Sequence, residues 1–155
     1  MLRLKWIIVI LCSAGLIAGC APTVTVENNT SIPVRVVVSN AGTVATVSPS
    51  PGESSTVEVV EGGYRATVIP DAEWIEYAKL TRKVLNDQLA NADQLTGSQL
   101  LDVIRRLKEI AQRMQQFENA AGSSAACGGK ITEEGGAGFV QVSIGAGGKL
   151  AITCR

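Results

Sequence analysis

The hydrophobic period changes twice along this chain, from two to near 3.6 and back to two, and that switching limits the architectures open to it. Thr23-Val24-Thr25-Val26 alternates as a half-buried strand does, and Asn28-Asn29-Thr30 closes it with turn-forming residues. Val34 to Val38 is a β-branched run with Arg35 as its one charge, and Ser39 to Gly42 punctuates it. Thr43 to Val47 reads as a third strand. Pro51-Gly52 suits a tight turn, because proline presets φ at one turn position and glycine accepts positive φ at the next. Thr56 to Val60 is a fourth strand, Gly62-Gly63 a hairpin turn, and Tyr64 to Ile69 a fifth strand. Five short strands with close turn signals predict an antiparallel meander or sandwich. Pro33, lacking a backbone donor, belongs at a strand start or on an edge.

After Pro70 the period lengthens. Asp71 is placed to cap a helix. Trp74, Tyr77, Ala78, Leu80, Val84, Leu85 and Leu89 recur at helical spacing until Asn91 to Gly97 breaks the pattern. Thr96, with Gln99 three residues on, carries the capping-box signature of a second helix. Its apolar face runs through Leu100, Val103, Ile104, Leu107, Ile110, Ala111, Met114 and Phe117, opposite Asp102, Arg105, Lys108, Glu109 and Gln112. Two such helices on a short loop form an αα-hairpin, each expected to bury its stripe against the other and against the sheet. A Gly/Ser/Ala stretch from Ala120 to Gly129 then reads as a connection. Strand pattern resumes at Lys130 to Thr132, Phe139 to Ile144 and Leu150 to Cys154, with a glycine-rich turn at Gly145 to Gly148. The expected fold class is α+β: an antiparallel β-sheet or sandwich over 23–69, an inserted helical hairpin over 71–118, and C-terminal β-strands over 130–154. A boundary between two subdomains, if there is one, falls near Pro70.

The N-terminus carries a different message. Arg3 and Lys5 precede an apolar run from Trp6 to Ile17 that is interrupted only by Ser13, Ala14 and Gly15. That is the layout of a secretory signal, and it is shorter than the roughly 20 apolar residues a membrane-spanning helix needs. It ends in Ile17-Ala18-Gly19-Cys20. These four residues resemble the lipobox of bacterial lipoproteins, in which lipoprotein signal peptidase cuts before the cysteine. The resemblance implies removal of residues 1–19, a diacylglyceryl group on the Cys20 thiol, and often a further acyl chain such as palmitate on the new amine. Each buried methylene adds roughly 0.8 kcal/mol of membrane affinity, so two or three chains anchor firmly. Cys12 lies inside the apolar run, without the small residues before it, and would leave with the signal. Ala21 stands where an aspartate often retains lipoproteins at the inner membrane, so the resemblance allows either the cell membrane or an outer membrane, on the extracytoplasmic face. Residues 20–22 would then form a lipidated tether of only about 7–10 Å.

Removing residues 1–19 takes the balance from 14 basic against 14 acidic residues to 12 against 14. Such near-neutrality lacks the basic stripe of a nucleic-acid binder. Two cysteines remain beside Cys20. In an exported domain, Cys127 and Cys154 are expected to form a disulfide, which would stabilise the fold by about 3.5 kcal/mol. Two distant thiols without histidine do not complete a zinc shell.

The chain has no histidine. That removes Ser-His-Asp triads, Cys-His pairs and histidine metal ligands. Carboxylate-pair hydrolysis survives on paper, with Glu133-Glu134 and Glu73 with Glu76 as the visible pairs. Adjacent glutamates beside glycines usually belong to a solvated loop, and acidic residues are at home in the first turns of a helix. The glycine runs lack any phosphate-loop context. Arg105, Arg106 and Lys108 are interleaved with Asp102 and Glu109, as on a solvated helix face with i,i+4 pairs. Trp74 and Tyr77 share a helix face that could line a pocket, or pack in a core. The expected protein is therefore a non-catalytic lipoprotein, without a cofactor or metal, that contacts the membrane through Cys20 and binds an envelope protein partner or stabilises an assembly. The alternatives are a small-ligand binder with a pocket between sheet and helices, and an envelope hydrolase built on the four glutamates.

Overall fold

A computed structural model describes residues 21–132 and 136–155. It is an α+β sandwich with an inserted helical hairpin and C-terminal strands. The strands are β1 (Thr23–Asn28), β2 (Val34–Asn40), β3 (Thr43–Val47), β4 (Ser54–Glu58), β5 (Gly62–Pro70), β6 (Ala125–Ile131), β7 (Ala137–Ile144) and β8 (Leu150–Cys154). The helices are α1 (Ala72–Ala90) and α2 (Gly97–Ala120), joined by one 3₁₀ turn. One sheet has the order β4-β1-β7-β8 and the other β3-β2-β5-β6.

The alternation read from the sequence is the cause of the two layers. Val24, Val26, Val34, Val36, Val38, Val68, Val140 and Val142 point inward from four strands and are fully buried. Their outward neighbours are mostly threonine, serine and charged residues, so each strand has one face for the core and one for water. The connectivity differs from a meander. β1 pairs antiparallel with β4 and parallel with β7, not with β2. The chain crosses between sheets after β1, β3, β4 and β6. Gly62-Gly63 is thus no hairpin turn: it opens β5 after a crossover, and the fourth strand ends at Glu58, two residues before the expected Val60. A β-branched run carries no information about which strand it will pair with, and here the tail strand β7 takes the place beside β1.

Several turn signals act as expected. The Glu53 amide donates to the Ser50 carbonyl at 2.9 Å across Pro51-Gly52, and Gly52 has φ of +78°. Pro33 sits just before β2, where its carbonyl accepts from the Asp71 amide at 3.1 Å. The Asn28-Asn29-Thr30 cluster is more than a turn. Buried Asn28 donates to the carbonyls of Ile32 and Pro49, both at 3.0 Å, and accepts from the Thr30 amide at 3.0 Å and its hydroxyl at 2.7 Å. A fully satisfied buried amide ties the β1–β2 loop to the crossover that follows β3.

The Gly/Ser/Ala stretch is corrected most. Ala125–Ile131 is a strand, not a connection, and it begins five residues before the expected Lys130. The reason is Tyr64, whose buried ring crosses Gly129 on the adjacent strand and Gly138 on the opposite sheet. A β-carbon on Gly138 would sit 2.8 Å from that ring. The glycines are therefore the floor under an aromatic side chain, an arrangement that pays back their poor strand propensity through packing.

Asp71 caps α1 by accepting from the Glu73 amide, and Thr96 and Gln99 form the expected capping box on α2. Among the described residues, only the base of the hairpin reaches the sandwich core: Trp74 and Ile75 from α1, Phe117 and Ala120 from α2. Beyond that base the helices pack on each other alone. The expectation that both stripes would bury against the sheet fails for geometric reasons. α1, at 19 residues, is about 28 Å long and leaves the sheets after its first turn.

Candidate functional site

The two ends of the sandwich differ. At one end, β1 starts at Thr23, whose amide donates to the Gly136 carbonyl at 3.0 Å, and the Pro22 carbonyl accepts from Val59 at 2.8 Å. At the other end, Asn28 contacts Ile32 and Val34 pairs with Pro70, where α1 begins. The chain therefore enters the sheet at the end opposite the hairpin base. Cys20 lies outside the described residues, as do Glu133 and Glu134.

A cation on α2 helps to fix the hairpin base. The Arg113 guanidinium stacks 5.2 Å from the Trp74 ring centroid, and its Nε donates to the Ser31 carbonyl at 2.9 Å. Trp74 in turn packs on Phe117, with ring centroids 5.6 Å apart. Ser31 also bonds Gln116. The β1–β2 loop is thus clamped to the last turns of α2, and Trp74 is a packing residue.

Farther out, the seam between the helices is made by Ala78 and Leu85 against Val103 and Met114. At 100° per residue, Tyr77, Leu80 and Val84 form a second stripe on α1, about a third of a turn from that seam. These three side chains are 65%, 66% and 56% exposed, and Leu101 and Ile104 on α2 are also exposed. Tyr77, expected on a core face, is on the surface. Tyr77, Thr81 and Leu85 line a shallow groove of ≈ 170 Å³ with Arg106, Glu109 and Arg113. Among the described residues, an apolar stripe thus lies exposed beside alternating charge on the outer part of the helix pair.

The remaining candidates resolve into ordinary structure. Glu73 pairs with Arg35 at 3.2 Å and Glu76 with Lys79 at 2.7 Å, so the two carboxylates are drawn to separate cations. Arg105 and Arg106 both reach Asp102; the expected Asp102–Arg106 pair is present at 4.0 Å. Hydrogen bonding and charge from Asp102, with Glu109 adding to it, raise the Arg105 guanidinium above its ordinary range. Such exposed pairs are screened by water and contribute little to stability. Burial pushes the Tyr64 phenol up against a backbone hydrogen bond from Phe139, and its hydroxyl donates to the Arg155 carbonyl at 3.2 Å. Among the described residues, no group of three His, Cys, Asp or Glu side chains is placed to hold a metal ion.

Cys127 and Cys154 form the expected disulfide, with Cα atoms 5.6 Å apart. It joins β6 of one sheet to β8 of the other and closes that flank of the sandwich. Set against protein-family models, curated proteins and solved structures, the chain matches none.

The sequence left open whether the hairpin packs on the sheet or docks a partner, because periodicity reports how apolar a face is, not whether anything covers it. The signal available was width. Tyr77, Leu80 and Val84 extend the α1 stripe well past the arc that one neighbouring helix can bury.

Proposed function

We propose that this chain is the precursor of an extracytoplasmic lipoprotein, cleaved before Cys20 and held in the membrane by lipid on that residue. Its mature domain is a non-catalytic module that offers the helical hairpin to an envelope partner. The observation that carries the reading is the placement of the chain's entry. Ala21 alone separates the lipobox cysteine from Pro22, whose carbonyl is already bonded to Val59. A lipid at Cys20 would seat the sandwich against the membrane by the end that lies away from the hairpin. The Cys127–Cys154 disulfide is consistent with an oxidising compartment.

The test is the intact mass of protein extracted with detergent from the membranes of cells expressing the full chain, beside a Cys20→Ser variant. The reading predicts residues 20–155 plus acyl chains, less two hydrogens, and no acylated species for the variant. An unprocessed chain, or acylation that survives in the variant, would overturn the anchor. Crosslinking at Tyr77 or Leu80 in those membranes then tests the docking half. Recovery of the same partner after Leu80→Ser and Tyr77→Ser together would contradict it.

A further inference from the structure

A sandwich of two open sheets has four edges, and in this molecule three of them are blunted. β6 and β8 are joined to each other through Cys127–Cys154. β4 carries Glu58 at its end, and a charge on an edge strand discourages pairing. β3 is different. Its sequence, Thr43-Val44-Ala45-Thr46-Val47, holds no charge and no proline, and its pairing with β2 runs without a bulge. Val44 is 71% exposed.

The register says which groups are free. Asn40 and Thr43 close a two-residue turn, so the pairs Asn40–Thr43, Val38–Ala45 and Val36–Val47 exchange hydrogen bonds. The N–H and C=O groups of Val44 and Thr46 therefore point away from β2. Among the described residues, the backbone bonds formed outside helices and strands involve neither residue.

We propose that β3 is the self-association edge of this protein and pairs antiparallel with β3 of a second copy. A two-fold axis through facing Ala45 residues sets Val44 opposite Thr46 of the second copy and Thr46 opposite its Val44. All four outward groups of each strand are then satisfied in one contact, giving four hydrogen bonds. The strand is self-complementary in charge as well, since an uncharged edge meets no like charge across the axis. β-Branched valine and threonine opposite one another are favourable cross-strand neighbours. The two β3-β2-β5-β6 sheets become one continuous sheet of eight strands. The proposal stands apart from the lipid anchor: it needs only the folded sandwich.

The test is sedimentation of the full chain in density-matched detergent across a hundredfold concentration range, with hydrogen exchange read on a peptide spanning residues 43–47. The expected result is a monomer–dimer equilibrium in which exchange of that peptide slows as dimer forms. Thr46→Pro removes an outward donor, and Val44→Lys sets a charge on the edge. Each is expected to leave a monomer whose far-ultraviolet spectrum and disulfide are unchanged. Should Thr46→Pro fail to fold, Val44→Lys alone decides the matter. A monomer at every concentration, a dimer that persists in Val44→Lys, or protection of residues 43–47 only when a different protein is added would each overturn the proposal.

Discussion

The sandwich and the hairpin solve the same problem, burying an apolar face, with very different completeness. In the sandwich, eight strands close over a valine core whose members from β1, β2, β5 and β7 are fully buried, and its flank is fastened by a disulfide. In the hairpin, two helices of 19 and 24 residues meet through Trp74 and Phe117 at the base and bury Ala78, Leu85, Val103 and Met114 farther out, while Tyr77, Leu80, Val84, Leu101 and Ile104 face water. The contrast separates two jobs. Two-sided burial gives the sandwich its stability; the hairpin's one-sided burial leaves surface free to be used.

The largest effect should come from the disulfide. Replacing Cys127 and Cys154 together by serine is expected to lower unfolding free energy by about 3.5 kcal/mol, read by chemical denaturation. A loss as large in the hairpin as in the sandwich would mean that the two regions unfold as one unit. Next comes Gly138→Ala, whose new methyl would meet the Tyr64 ring at 2.8 Å. Overpacking at such a site costs about 1–3 kcal/mol. Combining it with Tyr64→Leu should restore part of that loss, measured as non-additivity in a double-mutant cycle. The smallest effect belongs to the hairpin. Leu80→Ser, on a side chain two-thirds exposed, should change stability by less than about 0.5 kcal/mol in the same assay. A drop of 2 kcal/mol or more there would show that Leu80 is buried in solution, which would remove the docking surface.

The same contrast explains what could be read from the sequence. Alternation of valine with threonine located β1, and the β-branched run Val34 to Val38 located β2, because a period of two and β-branched side chains are what a half-buried strand needs. Asp71 and the Thr96/Gln99 pair located both helix starts, since capping is a local bond between residues two or three apart. The cysteine pair was legible from count and context. The long-range facts were not. That β1 lies parallel to β7 depends on which strand fills a vacant edge, and neither segment encodes its neighbour. β6 was hidden because its strand character comes from Tyr64, some 65 residues away, and not from its own Ala-Ala-Cys-Gly-Gly composition. Exposure of Tyr77 and Val84 followed the same rule: their type promised burial, and only the direction in which α1 leaves the sheets denied it.

Native-state hydrogen exchange compares the two regions most directly. Amides of β1, β2, β5 and β7 should open only with the free energy of global unfolding, while those between Tyr77 and Ile110 should open in a separate, lower tier. Two tiers, with the hairpin shifting upward when a partner is bound, are what a stable scaffold bearing a free surface predicts. A single tier, with hairpin amides exchanging only when the whole sandwich unfolds, would contradict it.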